Sequence, residues 1–298
     1  MITPAGSRRP PACGEWLVWQ LIYENALSHL DTVFASIGTR YMPIKGAYLL
    51  CAGLAPLIPA RVMVDIDLLV LPEDFRPTVD RLGEHPLFTR CAPDPWHFEQ
   101  AFLFANGAHT IKIELHCQLN REERFRLPAG GLFARGVAKT AVCMLPSAED
   151  ALVIFLCHTL VHSGFGFPAS TGREIEVLIG QKGFSWERCR ELIGQTGIEP
   201  YCFALLRHFA RAACIAPATL SSRHRWADLF FRTVPVRDRF TRLQQVLYRG
   251  FVGPFFARSP VKLMAGWAWR RLTRGRRKGR ACPIGRSPQE SALISGPR

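Results

Sequence analysis

The sequence predicts a mixed α/β (α+β) protein with a small mixed β-sheet in its first half and an all-helical second half. Two observations lead to this prediction. Between residues 41 and 119, short apolar runs of strand length are separated by turn residues, as is typical of strands. From Ser147 onward, the apolar residues recur at helical spacing instead. The boundary between the two halves falls near Leu145 and Pro146.

The first elements follow from local patterns. Residues 1–14 are rich in proline, and we expect them to be disordered. Residues 15–37 carry apolar side chains at helical spacing, and Gly38 is the expected stop, so this stretch predicts an amphipathic helix. Residues 41–50, YMPIKGAYLL, predict a short strand, a turn at Lys45-Gly46 and the start of a second helix.

The next elements complete the predicted sheet. Residues 61–71, RVMVDIDLLVL, form an apolar strand that two acids interrupt. Pro72 opens a helix that runs to about Leu82 with acids in its first turn. Residues 88–119 supply two or three antiparallel strands, and the turn at Asn106-Gly107 suits a two-residue hairpin connection.

The second half is predicted to be helical. The segment Ser147 to Asp150 is a helix-start pattern, and residues 151–164 follow as an apolar helix. Further helices are expected at 174–183, 185–196, 200–214 and 226–231. We therefore divide the chain into residues 1–14, a first domain at 15–145, a helical domain at 146–257 and a tail at 258–298.

The positive charge is concentrated in that tail. Residues 258–298 contain eleven Lys and Arg residues and one acid, Glu290, so they carry +10 of the net charge of +14. Runs of like charge are usually solvated and disordered. Arginines beside Trp267 and Trp269 also suit an anionic membrane surface or nucleic acid, so contact with either is the alternative.

The cysteine pattern and the hydropathy indicate a cytoplasmic protein. Ten cysteines are scattered without a Cys-x-x-Cys pair, as in reduced proteins, and this argues against zinc. Residues 16–23 are apolar, but Glu15 and Glu24 flank them and no cleavage site follows, so they belong to the mature chain. We expect a cytoplasmic location, with the tail allowing attachment to the inner face of the membrane.

Two carboxylates on one strand are the most informative feature. Side chains alternate along a strand, so Asp65 and Asp67 share one face while Ile66 and Leu68 take the other. Two such charges, if uncompensated, would destabilise a half-buried strand or keep one acid protonated. A divalent cation removes this conflict, and Mg²⁺ accepts carboxylate oxygens together with substrate phosphates.

A third carboxylate is predicted on a neighbouring strand. Along residues 111–116, Lys112, Glu114 and His116 share one face, and the apolar residues take the other. Glu114 is therefore the best placed partner for the aspartates, although an ion pair with Lys112 would also explain it. His116 is expected either to orient a ligand or to pack.

The order IKGAYLL, RVMVDIDLLV and IELHCQL resembles the uncharacterised bacterial branch of the polymerase-β-like nucleotidyltransferase superfamily. The resemblance covers about residues 15–210. It implies a nucleotidyltransferase domain followed by a helical half. It also implies transfer of a nucleoside monophosphate from an NTP, with ATP expected, to a hydroxyl acceptor with release of pyrophosphate. Lys45-Gly46 stands where the wider superfamily has Gly-Ser.

The resemblance also implies roles for individual residues. The catalytic metal ligands would be Asp65, Asp67 and Glu114, holding two Mg²⁺ or Mn²⁺ ions, and Glu114 would accept the proton of the acceptor hydroxyl. The nucleotide would be bound by Lys45, Gly46, Arg61 and His116. Lysine and arginine neutralise phosphate charge, and glycine lets the backbone approach it.

Three other classes of protein could contain some of the same residues. An Asp-x-Asp glycosyltransferase acting on sugar nucleotides needs a longer nucleotide-binding half before the motif. A haloacid-dehalogenase-type phosphatase needs Thr or Val at Leu69 and has no use for Glu114. A non-catalytic nucleotide-binding or adaptor protein is the third alternative. His158 and His162 have helical i, i+4 spacing without a third ligand, which favours core or nucleotide-facing histidines.

Overall fold

The computed structural model describes residues 13–58, 63, 65–92, 98–107, 109–120, 124–162 and 170–213. Several sequence predictions lie outside these residues. They are the N-terminal segment up to residue 12, the helix at 226–231, the tail at 258–298 and the position of Arg61.

A five-stranded mixed sheet lies in the first half, with strand order β1-β2-β5-β4-β3. The β2–β5 pair is parallel and the other pairs are antiparallel, which confirms the predicted small mixed sheet. The strands are β1 (Tyr41–Pro43), β2 (Asp65–Val70), β3 (Phe88–Arg90), β4 (Glu99–Asn106) and β5 (His109–His116). A short ribbon of β6 (Val137–Ala138) and β7 (Met144–Leu145) leads to the second half.

Helices flank the sheet and make up the described part of the second half, as predicted. The first group is α1 (Cys13–Ser36), α2 (Lys45–Cys51), α3 (Pro72–Glu84) and α4 (Ala129–Arg135), with a 3₁₀ turn at Ala55–Leu57. The second group is α5 (Ala148–His162), α6 (Ser170–Ile179), α7 (Trp186–Thr196) and α8 (Glu199–Ala213). Among the residues described, every helix is too short or too polar to span a bilayer.

One face of the sheet packs on α1 and α3. Strand alternation directs Ile66, Leu68 and Val70 to this side, where all three are fully buried. They join a core that includes Leu30 and Phe34 of α1. The helix α1 ends at Ser36, and Gly38 follows two residues later with a left-handed φ of 64°, so the predicted stop is confirmed.

The other face of the sheet packs on α2 and the second-half helices. Leu69 belongs to this second core, together with Met42 and Ile44 and side chains from α5 to α8. Alternation places Asp65 and Asp67 on the same face as Leu69. The face that meets the helical half is therefore apolar at one end of β2 and acidic at the other.

The start of α5 has the predicted capping arrangement. The Ser147 Oγ accepts a hydrogen bond from the Asp150 backbone N at 3.1 Å and donates to its carboxylate at 3.0 Å. Arg135 of α4 also donates two hydrogen bonds to Asp150, at 3.0 and 2.7 Å. The cap therefore also fixes α4 against α5.

Two boundaries differ from the sequence prediction. The hairpin pairs Asn106 with His109, so its connection is residues 107–108, one position later than expected. Gly107 has a φ of 59°, a backbone shape that suits glycine. The helix α6 begins at Ser170 and not at residue 174, because its first turn is polar and apolar spacing could not detect it.

Candidate functional site

The parallel pairing of β2 with β5 brings the predicted acids together. Asp67 is opposite Glu114, and Asp65 is opposite Lys112. Two residues further along each strand, on the same face of the sheet, Leu69 is opposite His116. The sequence prediction that Glu114 lies on a strand next to the aspartates is therefore confirmed as a placement.

Asp67 is at the centre of the site and is 3% exposed. Its Oδ1 accepts a hydrogen bond from the Lys45 Nζ at 2.6 Å and lies 3.1 Å from the His116 Nε2. Its backbone carbonyl accepts from the Ile44 N at 3.0 Å. Burial alone would raise the pKa of Asp67, but Lys45 and His116 outweigh it and lower the pKa below its ordinary value. Asp67 is therefore ionised.

Glu114 is ionised for a similar reason. The Lys112 Nζ donates a hydrogen bond to its Oε1, and the His116 Nε2 lies 3.6 Å from its Oε2. Although burial opposes ionisation, these two cations lower the pKa of Glu114 well below its ordinary value. The ion pair with Lys112 thus exists, and it leaves Glu114 within the acidic cluster.

His116 is buried between acids. Burial disfavours its charged form, but the hydrogen bonds to Asp67 and Glu114 raise its pKa to about 9. Its Nδ1 is 3.6 Å from a Glu99 carboxylate oxygen and has no hydrogen-bond partner among the described residues. The imidazole is therefore protonated on both nitrogens, and so positively charged, at neutral pH.

Among the described residues, no cation is hydrogen-bonded to Asp65 or forms an ion pair with it. Burial, together with the charges of Asp67 and Glu114, raises its pKa to about 6. The α1 residue Tyr23 lies nearby: its hydroxyl donates to the Met63 carbonyl at 2.7 Å, and burial and Asp65 raise its pKa. Nothing in the spacing of α1 indicated this neighbour.

The cluster fits a divalent cation. Asp67, Glu114 and His116 each offer a ligand atom, and these atoms lie within 4.8 Å of one another. Carboxylate oxygens suit Mg²⁺ or Mn²⁺. His116 could join them as a ligand only after its Nε2 loses its proton, because a metal binds the neutral imidazole. The sequence had grouped Asp65 with Asp67 and Glu114 as ligands. In the structure, the three residues whose ligand atoms lie together are Asp67, Glu114 and His116, so His116 takes the place expected for Asp65.

The expectation that the aspartates lack compensation is wrong. Lys45 neutralises Asp67 across the short turn between β1 and α2, and His116 adds a second positive charge. Sequence spacing could not show this, because the contact depends on the course of α2 beside β2. The need for a metal therefore does not follow from charge repulsion alone.

The Lys45-Gly46 turn takes an unexpected form. Lys45 is the first residue of α2 and has a left-handed φ of 54°, while Gly46 is buried in the helix. Of the predicted histidines, His158 lies within α5 and is half-buried, and His162 is the last residue of α5. Among the described residues, His158 is not part of a metal-binding group.

A small cavity borders Lys45 between α2, α5 and α6. Its lining includes Tyr48, Phe155 and Glu174. Glu174 is only 3% exposed, and the Ser170 Oγ donates to it at 2.9 Å. Sequence reasoning missed Glu174, although an acid on the apolar side of α6 was a usable signal.

Comparison with known proteins identifies a family. A family model described as uncharacterised nucleotidyltransferase matches residues 15–214, about two thirds of the chain. The matched range contains β1 to β5, the acidic cluster and the helices α5 to α8. No curated protein and no solved structure matches.

Proposed function

Because this chain belongs to the family of uncharacterised nucleotidyltransferases, we propose that it moves a nucleoside monophosphate from an NTP, with ATP as the first choice, to a hydroxyl acceptor. Pyrophosphate is the second product. The family match favours this reaction over the glycosyltransferase and phosphatase interpretations. It also favours an enzyme over a passive nucleotide-binding protein.

The observation that carries the proposal is the position of Asp67 opposite Glu114 on the parallel strands β2 and β5. Both carboxylates are ionised, and His116 lies between them. These two carboxylates offer oxygen ligands of the kind that hold Mg²⁺ or Mn²⁺ together with triphosphates. A cation bound here would neutralise phosphate charge and favour ionisation of the acceptor hydroxyl.

Nucleotide binding is assigned to three cationic residues. Lys45 and Arg61 would neutralise the triphosphate, and His116 would donate a hydrogen bond to it. Gly46 is buried at the start of α2 and would let the backbone approach a phosphate. These residues orient the triphosphate and need not move a proton.

The proton of the acceptor hydroxyl would be accepted by Glu114, which lies on β5 opposite Asp67. Asp65 shares the strand face of Asp67 and would be a further ligand for the cation. A bound divalent cation would supply the positive charge that keeps these carboxylates ionised.

The direct test supplies each α-labelled NTP with Mg²⁺ or Mn²⁺ in a cell extract and follows the label. With the wild type, the label should appear on a macromolecule or a small acceptor, and unlabelled pyrophosphate should be released. Both products should be lost in Asp67→Asn and in Glu114→Gln. The control is Asp80→Asn, because Asp80 is 70% exposed and distant in the fold on α3. Label transfer that survives in Asp67→Asn would overturn the proposal.

A further inference from the structure

Among the residues that the structure describes, Lys45 makes the shortest side-chain contact to Asp67. Its Nζ is 2.6 Å from the Asp67 Oδ1, and the two side chains are 16% and 4% exposed. Water therefore has little access to this pair. The same Oδ1 is the atom that faces His116 at 3.1 Å. The ammonium thus occupies space immediately beside the group that could hold a cation.

The backbone directs Lys45 into this position. Lys45 is the one non-glycine residue with a left-handed φ among the residues that the structure describes. Such a backbone is unfavourable for a residue with a Cβ, and Gly46 next to it could adopt it without strain but does not. The backbone N–H of the preceding residue, Ile44, donates a hydrogen bond to the Asp67 carbonyl oxygen. The turn is therefore held against Asp67 by both main chain and side chain.

An ammonium and a divalent cation compete for the same carboxylate. Both need the lone pairs of Asp67, and two cations that share one buried oxygen repel each other strongly. Lysine carries its charge on a flexible four-carbon stem, so its head can move while the backbone stays in place. Arginine, with a planar fork, would be a poorer choice for such a movement.

We propose that Lys45 is a resident counter-cation: it holds Asp67 while no metal is bound, and it is displaced when a divalent cation enters. The displaced ammonium then binds the triphosphate. This inference rests on the proposed function, because it takes the metal site of that proposal as given. It adds that one residue serves two partners in turn, and that metal and nucleotide are therefore coupled through Lys45.

The first test measures binding of Mn²⁺ alone to the nucleotide-free full chain, by the electron paramagnetic resonance signal of free Mn²⁺. Lys45→Met removes the competing charge and keeps an unbranched stem, so its affinity should rise about tenfold. Asp67→Asn should remove the binding. Lys112→Met is the matched control, because Lys112 pairs with Glu114 and not with Asp67. The Mn²⁺ affinity of Lys112→Met should change less than that of Lys45→Met.

The outcomes separate the two proposals. If the wild type binds Mn²⁺ through Asp67 and Lys45→Met binds it no more tightly, the counter-cation role is wrong and the metal site remains. If Lys112→Met gains as much as Lys45→Met, the effect is general electrostatics and the role is again wrong. If neither the wild type nor Lys45→Met binds Mn²⁺, the metal site of the proposed function is wrong as well.

A second measurement uses the unmodified protein, because Lys45→Met leaves Asp67 with one cation and could fail to fold. Mass spectrometry would follow acylation of Lys45 by an amine reagent with and without saturating Mn²⁺, with Lys139 as internal reference. Lys139 is on the surface, and its Nζ donates to the Cys51 carbonyl. Displacement should increase Lys45 labelling several-fold relative to Lys139. Equal labelling in both conditions would overturn the inference.

Discussion

The charges around Asp67 decide what single substitutions do. Asp67 is buried and its partners Lys45 and His116 are buried with it. A buried ion pair is weak evidence for net stability, but loss of one partner leaves the other without compensation. Each acid in the cluster must therefore be considered with its own partners.

Asp67→Asn should destabilise the metal-free protein by about 3–5 kcal/mol, because Lys45 and His116 would lose their shared counter-charge. Without those cations, relief of carboxylate repulsion would predict the opposite sign. Urea denaturation with EDTA measures the change. Asp80→Asn, in an exposed pair with Arg90, should cost no more than about 1 kcal/mol. Equal losses in the two variants would contradict the buried pairing of Asp67.

Asp65→Asn should behave differently, and its effect should depend on pH. The folded pKa of Asp65 is about 6, above its unfolded value, so the folded state holds the proton more tightly. The contribution of Asp65 to stability is complete below the unfolded pKa and is lost as pH rises through about 6. Relative to Asp65→Asn, the wild type should therefore lose stability between about pH 4 and pH 6.

Thermal melting in EDTA across pH 4 to 8 tests this prediction. The informative quantity is the change with pH in the difference between wild type and Asp65→Asn, because any constant packing effect of the amide cancels. A difference that stays constant over this range would show that Asp65 has an ordinary pKa. A difference of the opposite slope would show that a cation stabilises its charged form.

At the scale of elements, α7 offers an internal comparison between two glycines. Gly194 lies on the exposed side of the helix, and an added Cβ would meet nothing within 4 Å. Gly197 follows the last helical residue and has a φ of 74°. Gly194→Ala should stabilise the protein by about 0.5–1 kcal/mol, and Gly197→Ala should destabilise it by about 1 kcal/mol. Urea denaturation of both variants measures the two signs.

The helical positions of these glycines explain the opposite signs. Alanine lowers the conformational entropy of the unfolded chain at both sites, but only Gly194 has a backbone shape that alanine shares. A gain in stability for Gly197→Ala would mean that α7 ends without a left-handed cap. The pair also reports on the second half of the chain, where α7 packs on α5 through the buried residues Leu192 and Ile193.

The elements were predictable where the pattern is local. The alternation around Ile66 and Ile113, the proline at the start of α3 and the Ser147 cap all gave the correct element. The hairpin turn was displaced by one residue, because Asn106-Gly107 and the observed connection both satisfy the local signal. Local patterns therefore determine which element forms better than where it ends.

The site was predictable only in part. The strand face of Asp67 and that of Glu114 follow from alternation, and their placement on neighbouring strands was inferred from the motif order. The partners of these acids could not be predicted, because Lys45 reaches Asp67 through the course of α2. Nor could the raised pKa of Asp65, which depends on burial and on charges from another strand.

At the scale of the whole molecule, charge is unevenly divided. The tail of residues 258–298 carries +10 of the net +14 and lies outside the described residues. The acidic cluster lies in the matched range 15–214. We expect these two parts of the chain to act independently, the first on anionic surfaces and the second on nucleotide.

Removal of residues 258–298 should weaken binding to anionic vesicles or to nucleic acid and flatten the salt dependence of that binding. Nucleotide affinity should stay within about twofold of the full chain, because every residue assigned to the site lies before residue 120 in the sequence. Vesicle sedimentation and fluorescent-nucleotide titration over a range of salt concentrations measure the two effects. A truncated chain that no longer folds would show that the tail is part of the core.

The parallel pairing of β2 with β5 also has a consequence for how the protein folds. Strands β4 and β5 are joined by two residues, so this hairpin can form in about 1–10 μs, and it already contains Glu114 and His116. The β1, α2 and β2 segment brings Lys45 and Asp67 together across a separation of 22 residues. The two pieces meet only after the loop containing α3 and β3 closes, which is slow for a parallel pair. The acidic cluster should therefore be among the last parts of the sheet to assemble, so that substitutions along this seam mainly change the unfolding rate.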